Sequence, residues 1–211
     1  EAGGPGASAS SVFTPSSDLF SGLKSVRFRG WVRRWEAARL SLGGSWSETP
    51  IFTRGVPADV GESLNGNVSV SLYPTGSLSM GLELRHSSIF RKRDDSRYSS
   101  ATIPRIEARY QFSRALFIRG IGEYSSQTRG SILDPETGAP ILVCGDTCEP
   151  RTGSDRFDFR LEGLLGYEPS PGTVVYVGYS RQMEDTSAFR FNNLTPEADG
   201  LFVKLSYRFR M

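Results

Sequence analysis

Alternation at the end of the chain is the tightest constraint on its fold. From Leu201 to Met211 the odd positions hold Leu201, Val203, Leu205, Tyr207, Phe209 and Met211. The even positions hold Phe202, Lys204, Ser206, Arg208 and Arg210. A strand sends successive side chains to opposite faces. An extended 201–211 therefore has one wholly apolar face and one mostly charged or hydroxylic face. An apolar face of that length needs a protein core or lipid. Aromatic residues near its tip point to lipid, because the closing strand of a membrane β-barrel is built that way.

The same period-two pattern recurs upstream, and no 3.6-residue pattern is sustained. Phe157, Phe159, Leu161, Leu165 and Tyr167 oppose Arg156, Asp158, Arg160 and Glu162. Ile106, Ala108, Tyr110 and Phe112 oppose Arg105, Glu107, Arg109 and Gln111. Val175, Val177 and Tyr179 oppose Gly178, Ser180 and Gln182, and similar segments lie around Val26–Val32, Ala38–Trp46, Val68–Leu72 and Leu78–Leu84. The segment from Leu116 to Tyr124 is less clean, since Phe117 and Ile121 share parity with Arg119 and Glu123. The pattern predicts about nine strands of roughly 9–13 residues, the length a tilted membrane strand needs. Short turns at 34–36, 74–76, 113–114 and 169–172 alternate with longer polar stretches near 47–64, 87–101, 129–155 and 184–199. Short turns on one rim and long loops on the other are expected of an outer-membrane barrel.

Composition agrees with a folded chain. Of 211 residues, 37% are hydrophobic and 23% charged, which does not read as disorder. The net charge of +2 gives no reason to expect a nucleic-acid partner. Mean hydropathy is −0.32, and no apolar run approaches the roughly 20 residues of a spanning helix. A barrel escapes that test, because every second residue can face a polar interior. Residues 1–11 are Gly, Ala, Ser and Pro with one acid, Glu1, and residues 1–22 read as a linker or loop, leaving 23–211 as the β-barrel segment. Nine strands is an odd number, whereas single-chain bacterial barrels have an even one. The expected architecture is thus all-β: an antiparallel transmembrane β-barrel, part of a larger barrel whose other strands lie upstream.

Aromatics on the apolar parity gather at strand ends. Tyr110, Phe112, Tyr167, Tyr207 and Phe209 fall at one end, and Trp46, Tyr124, Phe157 and Tyr179 at the other. Amphipathic rings prefer the headgroup level, so two girdles are expected. A soluble antiparallel sandwich or barrel, with its apolar face packed inside, is the alternative.

Three blocks carry a family resemblance: 106–119 (IEARYQFSRALFIR), 167–179 (YEPSPGTVVYVGY) and 199–210 (DGLFVKLSYRFR). They resemble the C-terminal membrane barrel of the bacterial domain of unknown function 5916 family. In that family a carbohydrate-binding family 9-like sandwich precedes the barrel. The resemblance implies a bacterial outer-membrane location, with the lipid bilayer and the barrel assembly machinery as partners. Carbohydrate would be met only through an upstream domain. Met211 departs from the terminal aromatic common in insertion signals, whereas Tyr207 and Phe209 keep the rest of that pattern.

The residues expected to line the lumen are Arg105, Glu107, Arg109, Arg119, Glu123, Arg156, Asp158, Arg160, Glu162, Lys204, Arg208 and Arg210. A charged pore wall selects solutes; a wall of cross-strand ion pairs fills and stiffens an interior. Cys144 and Cys148, in Cys-Gly-Asp-Thr-Cys, are a disulfide candidate within a polar loop. His86 and Ser88 share parity near a strand end, where an outer-membrane lipase could use the imidazole to take the hydroxyl proton. Asp94 and Asp95 are acids near the same rim, as a barrel protease would need, but Arg91, Lys92 and Arg93 suit a surface loop. The loop acids Asp134, Glu136, Asp146 and Glu149 do not match a calcium-loop spacing, and no phosphate-binding glycine loop occurs, so no cofactor or metal is expected. The expected function is solute passage, or membrane anchoring of a periplasmic carbohydrate-binding domain, without enzymatic activity. A rim-site lipase or protease and a soluble β-barrel ligand binder are the alternatives.

Overall fold

The computed structural model describes residues 21–53, 56–132, 139–144, 147–170, 172–191 and 193–207. Among them there are eleven strands and no helix. The strands are β1 (Ser25–Trp35), β2 (Ala38–Thr53), β3 (Val56–Leu72), β4 (Leu78–Arg91), β5 (Arg97–Gln111) and β6 (Leu116–Arg129). They continue with β7 (Leu142–Cys144), β8 (Cys148–Pro150), β9 (Ser154–Ser170), β10 (Thr173–Asp185) and β11 (Thr195–Tyr207). Nine of them make one antiparallel sheet in the order β1-β2-β3-β4-β5-β6-β9-β10-β11, and β7 pairs only with β8. Every neighbour in the large sheet is the next strand in the chain apart from the β7–β8 excursion. This is the meander that simple hairpin connections produce.

Register explains why the alternation survives across the sheet. Leu40 lies opposite Val70, Val70 opposite Leu82, Leu82 opposite Ile106, Ile106 opposite Gly122, and Gly122 opposite Leu161. One residue further along, Ser41, Ser69, Glu83, Arg105, Glu123, Arg160 and Gln182 form a second row on the other face. A slip of one residue would exchange these two rows, so the contrast between faces fixes the pairing.

The two faces differ in exposure in an unusual sense. On the apolar face Ile106 is 47% exposed, Ile118 45%, Leu161 43% and Leu165 43%, whereas Ile121 on the polar face is 6% exposed. Ser41, Glu83, Arg105, Glu123 and Glu162 are half-buried. The sheet therefore curls toward its polar face and leaves its aliphatic face outward. It is barrel-like but open, with β1 and β11 as its edges.

Strand ends depart from the sequence pattern. The stretches expected as loops at 47–64 and 87–101 are largely strand: β2 and β3 meet across residues 54–55, and β4 and β5 across 92–96. Ser87 pairs with Ala101 and Ser88 with Ser100, so the ladder carries these small residues after the hydrophobic signal has faded. The two long connections, 130–153 and 186–194, leave the same rim. The connections at 36–37, 73–77, 112–115 and 171–172 lie on the other. Most of the expected linker, residues 1–20, lies outside the described residues, as do Arg208, Phe209, Arg210 and Met211.

The aromatic girdles are also corrected in part. Tyr110, Phe112, Tyr167 and Tyr207 are 40–60% exposed at the short-turn rim, at 43%, 58%, 47% and 60%. At the other rim Tyr124 and Phe157 are only 3% and 9% exposed. The connection after β10 folds back over the apolar face there. Phe189 and Phe191 place their ring centroids 4.7 and 5.0 Å from that of Tyr124.

Candidate functional site on the concave polar face

The alternation brings nine of the residues expected to line a lumen onto one concave wall: Arg105, Glu107, Arg109, Arg119, Glu123, Arg156, Asp158, Arg160 and Glu162. Lys204, opposite Tyr176, occupies the same face on β11. Arg105 is the hub of the central row. Its Nη1 donates to Glu123 at 3.2 Å and its Nη2 to Glu107 at 3.5 Å. Arg156 Nε donates to Asp158 Oδ2 at 2.9 Å. The Arg105 pairs are partly solvated and contribute about 0–1 kcal/mol each. Their effect is to cancel charge locally, along a row that alternates Glu83, Arg105, Glu123 and Arg160.

Charge is not cancelled on the β1 side. Arg27, Arg29 and Arg33 on β1 and Arg39 on β2 share the polar parity, and none has a carboxylate within ion-pair distance among the described residues. Nearby Asn65 ties the wall together. It accepts from Ser87 Oγ at 2.7 Å and donates to Ser63 at 3.0 Å and Ser45 at 3.4 Å. Arg27, Arg29, Asn65 and Ser87 line a basin of about 510 Å³. These arginines were legible as one face of a strand, but their lack of partners depends on register and side-chain reach.

The remaining candidates are dispersed. Cys144 and Cys148 are joined by a disulfide across the β7–β8 hairpin. The excursion is tied at its base, where Ile141 N donates to Ile132 O at 2.9 Å and Arg151 N to Ile141 O at 3.1 Å. His86 lies on the apolar face with Nδ1 2.9 Å from Thr102 Oγ1, while Ser88 is 4% exposed. No carboxylate lies within ion-pair distance of His86 among the described residues. Asp94 accepts hydrogen bonds from Ser96 N at 3.0 Å and Ser96 Oγ at 2.6 Å, which close the turn after β4 and hold its carboxyl below the usual range. Beside it, the ion pair with Glu48 raises Lys92 above the usual ammonium value. Asp95 adopts φ 52° in that turn. Both acids thus shape a connection. Glu149 is an exposed residue of β8, whereas Asp134, Glu136 and Asp146 lie outside the described residues. Among the described residues no cluster of His, Cys, Asp and Glu could hold a metal ion.

The strap over the apolar face was not read from sequence. Asp185 and Tyr124 lie 61 residues apart, and only the aromatic pair Phe189 and Phe191 in a polar stretch hinted at a packing role. Comparison with models of known families, with curated proteins and with solved structures found no match.

Proposed function

We propose that this chain forms part of the wall of a bacterial outer-membrane β-barrel that lets small solutes pass. One observation carries the reading: the aliphatic side chains lie exposed on one face of the sheet, and the charged ones lie on the opposite face, where Glu83, Arg105, Glu123 and Glu162 are half-buried. In water the reverse arrangement is favoured, because apolar burial drives folding. A hydrocarbon solvent outside and water inside make the observed one stable. On this reading the bilayer and the barrel assembly machinery are the chain's partners. A soluble barrel with an apolar ligand inside would instead need its aliphatic face shielded.

The test is conductance in planar bilayers. The closed barrel should conduct, and neutralising Arg27 and Arg29 together (both to Gln) should move selectivity toward cations. Fixed positive charge in a pore favours anions, and these two arginines lack an acidic partner among the described residues. His86→Ala should leave conductance as it was. Absence of conductance with a His86-dependent hydrolysis of lipid or peptide would replace this reading by the rim-site enzyme. Absence of both would favour the anchor, its interior occupied by the ion-paired row around Arg105.

A further inference from the structure

We infer that the concave face carries a pocket for a small, flat organic oxyanion, built on Arg109 and Arg119. The pocket has about 560 Å³ and lies toward the short-turn rim between β5 and β11. Arg109 and Arg119 are direct cross-strand partners. Like charges so placed repel each other, and neither has a carboxylate within ion-pair distance among the described residues. Arg119 Nε is also screened from solvent without a hydrogen-bond partner. A guanidinium N–H in that state is costly until something accepts from it. Both arginines line the pocket, and Arg109 Nη2 also donates to Gln111 Oε1 at 3.2 Å. Two guanidiniums in one pocket offer donors to the oxygens of a carboxylate or phosphate, and an anion between them would turn the repulsion into attraction.

The rest of the pocket fixes what the anion is attached to. The Arg109 guanidinium carbon sits 4.0 Å from the Phe117 ring centroid, and Phe117 meets Tyr176 edge-on at 6.4 Å. Two glycines make room for the rings. A Cβ at Gly166 would strike Phe117, and one at Gly178 would strike Phe202. The rings can therefore lie along the wall, leaving an aromatic floor beside the cationic pair. Glu107 and Glu162, in the next row toward the long-loop rim, give the far end the opposite sign. Glu107 is already engaged by Arg105 at 3.5 Å. The oxyanion is thus directed to the arginines and the flat body to Phe117, Tyr176 and Phe202.

This inference rests on the lumen reading for its supply of solute, whereas binding itself can be measured without transport. The full chain, folded in neutral detergent, is titrated by calorimetry with benzoate, phenyl phosphate, neutral benzamide and inorganic phosphate. Benzoate or phenyl phosphate should bind, benzamide should not, and inorganic phosphate should bind more weakly than phenyl phosphate. Arg119→Gln and Arg109→Gln should each weaken binding tenfold or more. Gly178→Ala keeps every charge, and should weaken it by driving Phe202 into the pocket. His86→Ala, on the other face, should bind as the parent does, and circular dichroism identifies variants that have kept the sheet. Equal binding of benzamide, an affinity indifferent to both arginine variants, or inorganic phosphate equal to phenyl phosphate would overturn the inference. Binding as described in a protein that does not conduct would uphold the pocket and remove only the transport reading.

Discussion

Tyr124 holds the connection after β10 onto the sheet at the long-loop rim. Its hydroxyl accepts from Phe189 N at 2.9 Å and lies 3.3 Å from Asp185 Oδ2 and 3.4 Å from Ser187 O, either of which can take its proton. Asp185 in turn accepts from Phe191 N at 3.2 Å. Phe189 and Phe191 adopt φ of 58° and 54°, a region bulky residues rarely occupy and one that costs on the order of 1 kcal/mol or more each. Ring packing on Tyr124 and Phe159 offsets that cost. Tyr124→Phe should keep the packing, lose the hydroxyl bonds and destabilise the strap by about 1 kcal/mol. Hydrogen exchange at the Phe189 amide should then be roughly fivefold faster, with the central strands unchanged. An unchanged amide would mean that the rings alone hold the strap.

At the level of strands, the solvent outside the sheet decides what a charge costs. Leu165 on β9 is 43% exposed and lies between Ile118 and Val177 on the apolar face. In water, Leu165→Arg at such a site would change stability by only about 0.5 kcal/mol in either direction. In lipid near the midplane it should cost about 2–4 kcal/mol. Urea titration of protein folded in lipid vesicles reads the difference directly, and a change within the smaller range would contradict a lipid-facing β9. The middles of these strands were legible because Leu, Val and Ile alternate there with Arg, Glu and Ser. Their ends were not: Ser87, Ser88, Ser99 and Ser100 carry no hydrophobic signal, and only pairing to neighbours makes them strand. The polar wall was legible as a set of residues on each strand. The placing of Arg109 against Arg119, or Arg105 between Glu107 and Glu123, needs the register, which no single segment states. The strap was hidden for a similar reason, since its bonds join β6 to a connection far along the chain.

For the whole molecule, the edges and the faces set the terms. β1 and β11 both run toward the short-turn rim, so they are parallel to each other and cannot close an all-antiparallel barrel directly. Exposed edges are unstable in lipid, and antiparallel closure requires an odd number of further strands between them. A second copy in the same membrane orientation supplies another nine and leaves two parallel seams. Whatever completes it, the wall described here is inside-out relative to a soluble sheet, and that is the claim to test. Single cysteines are placed at Leu161, Leu165, Val177 and Val203, and separately at Arg160, Glu162 and Lys204, after Cys144 and Cys148 are changed to Ser. Each variant is folded in vesicles and probed with lipid-soluble and water-soluble thiol reagents. The first set should react with the lipid-soluble reagent, and the second with the water-soluble one. Labelling of the Leu and Val set by the aqueous reagent alone would contradict the membrane reading.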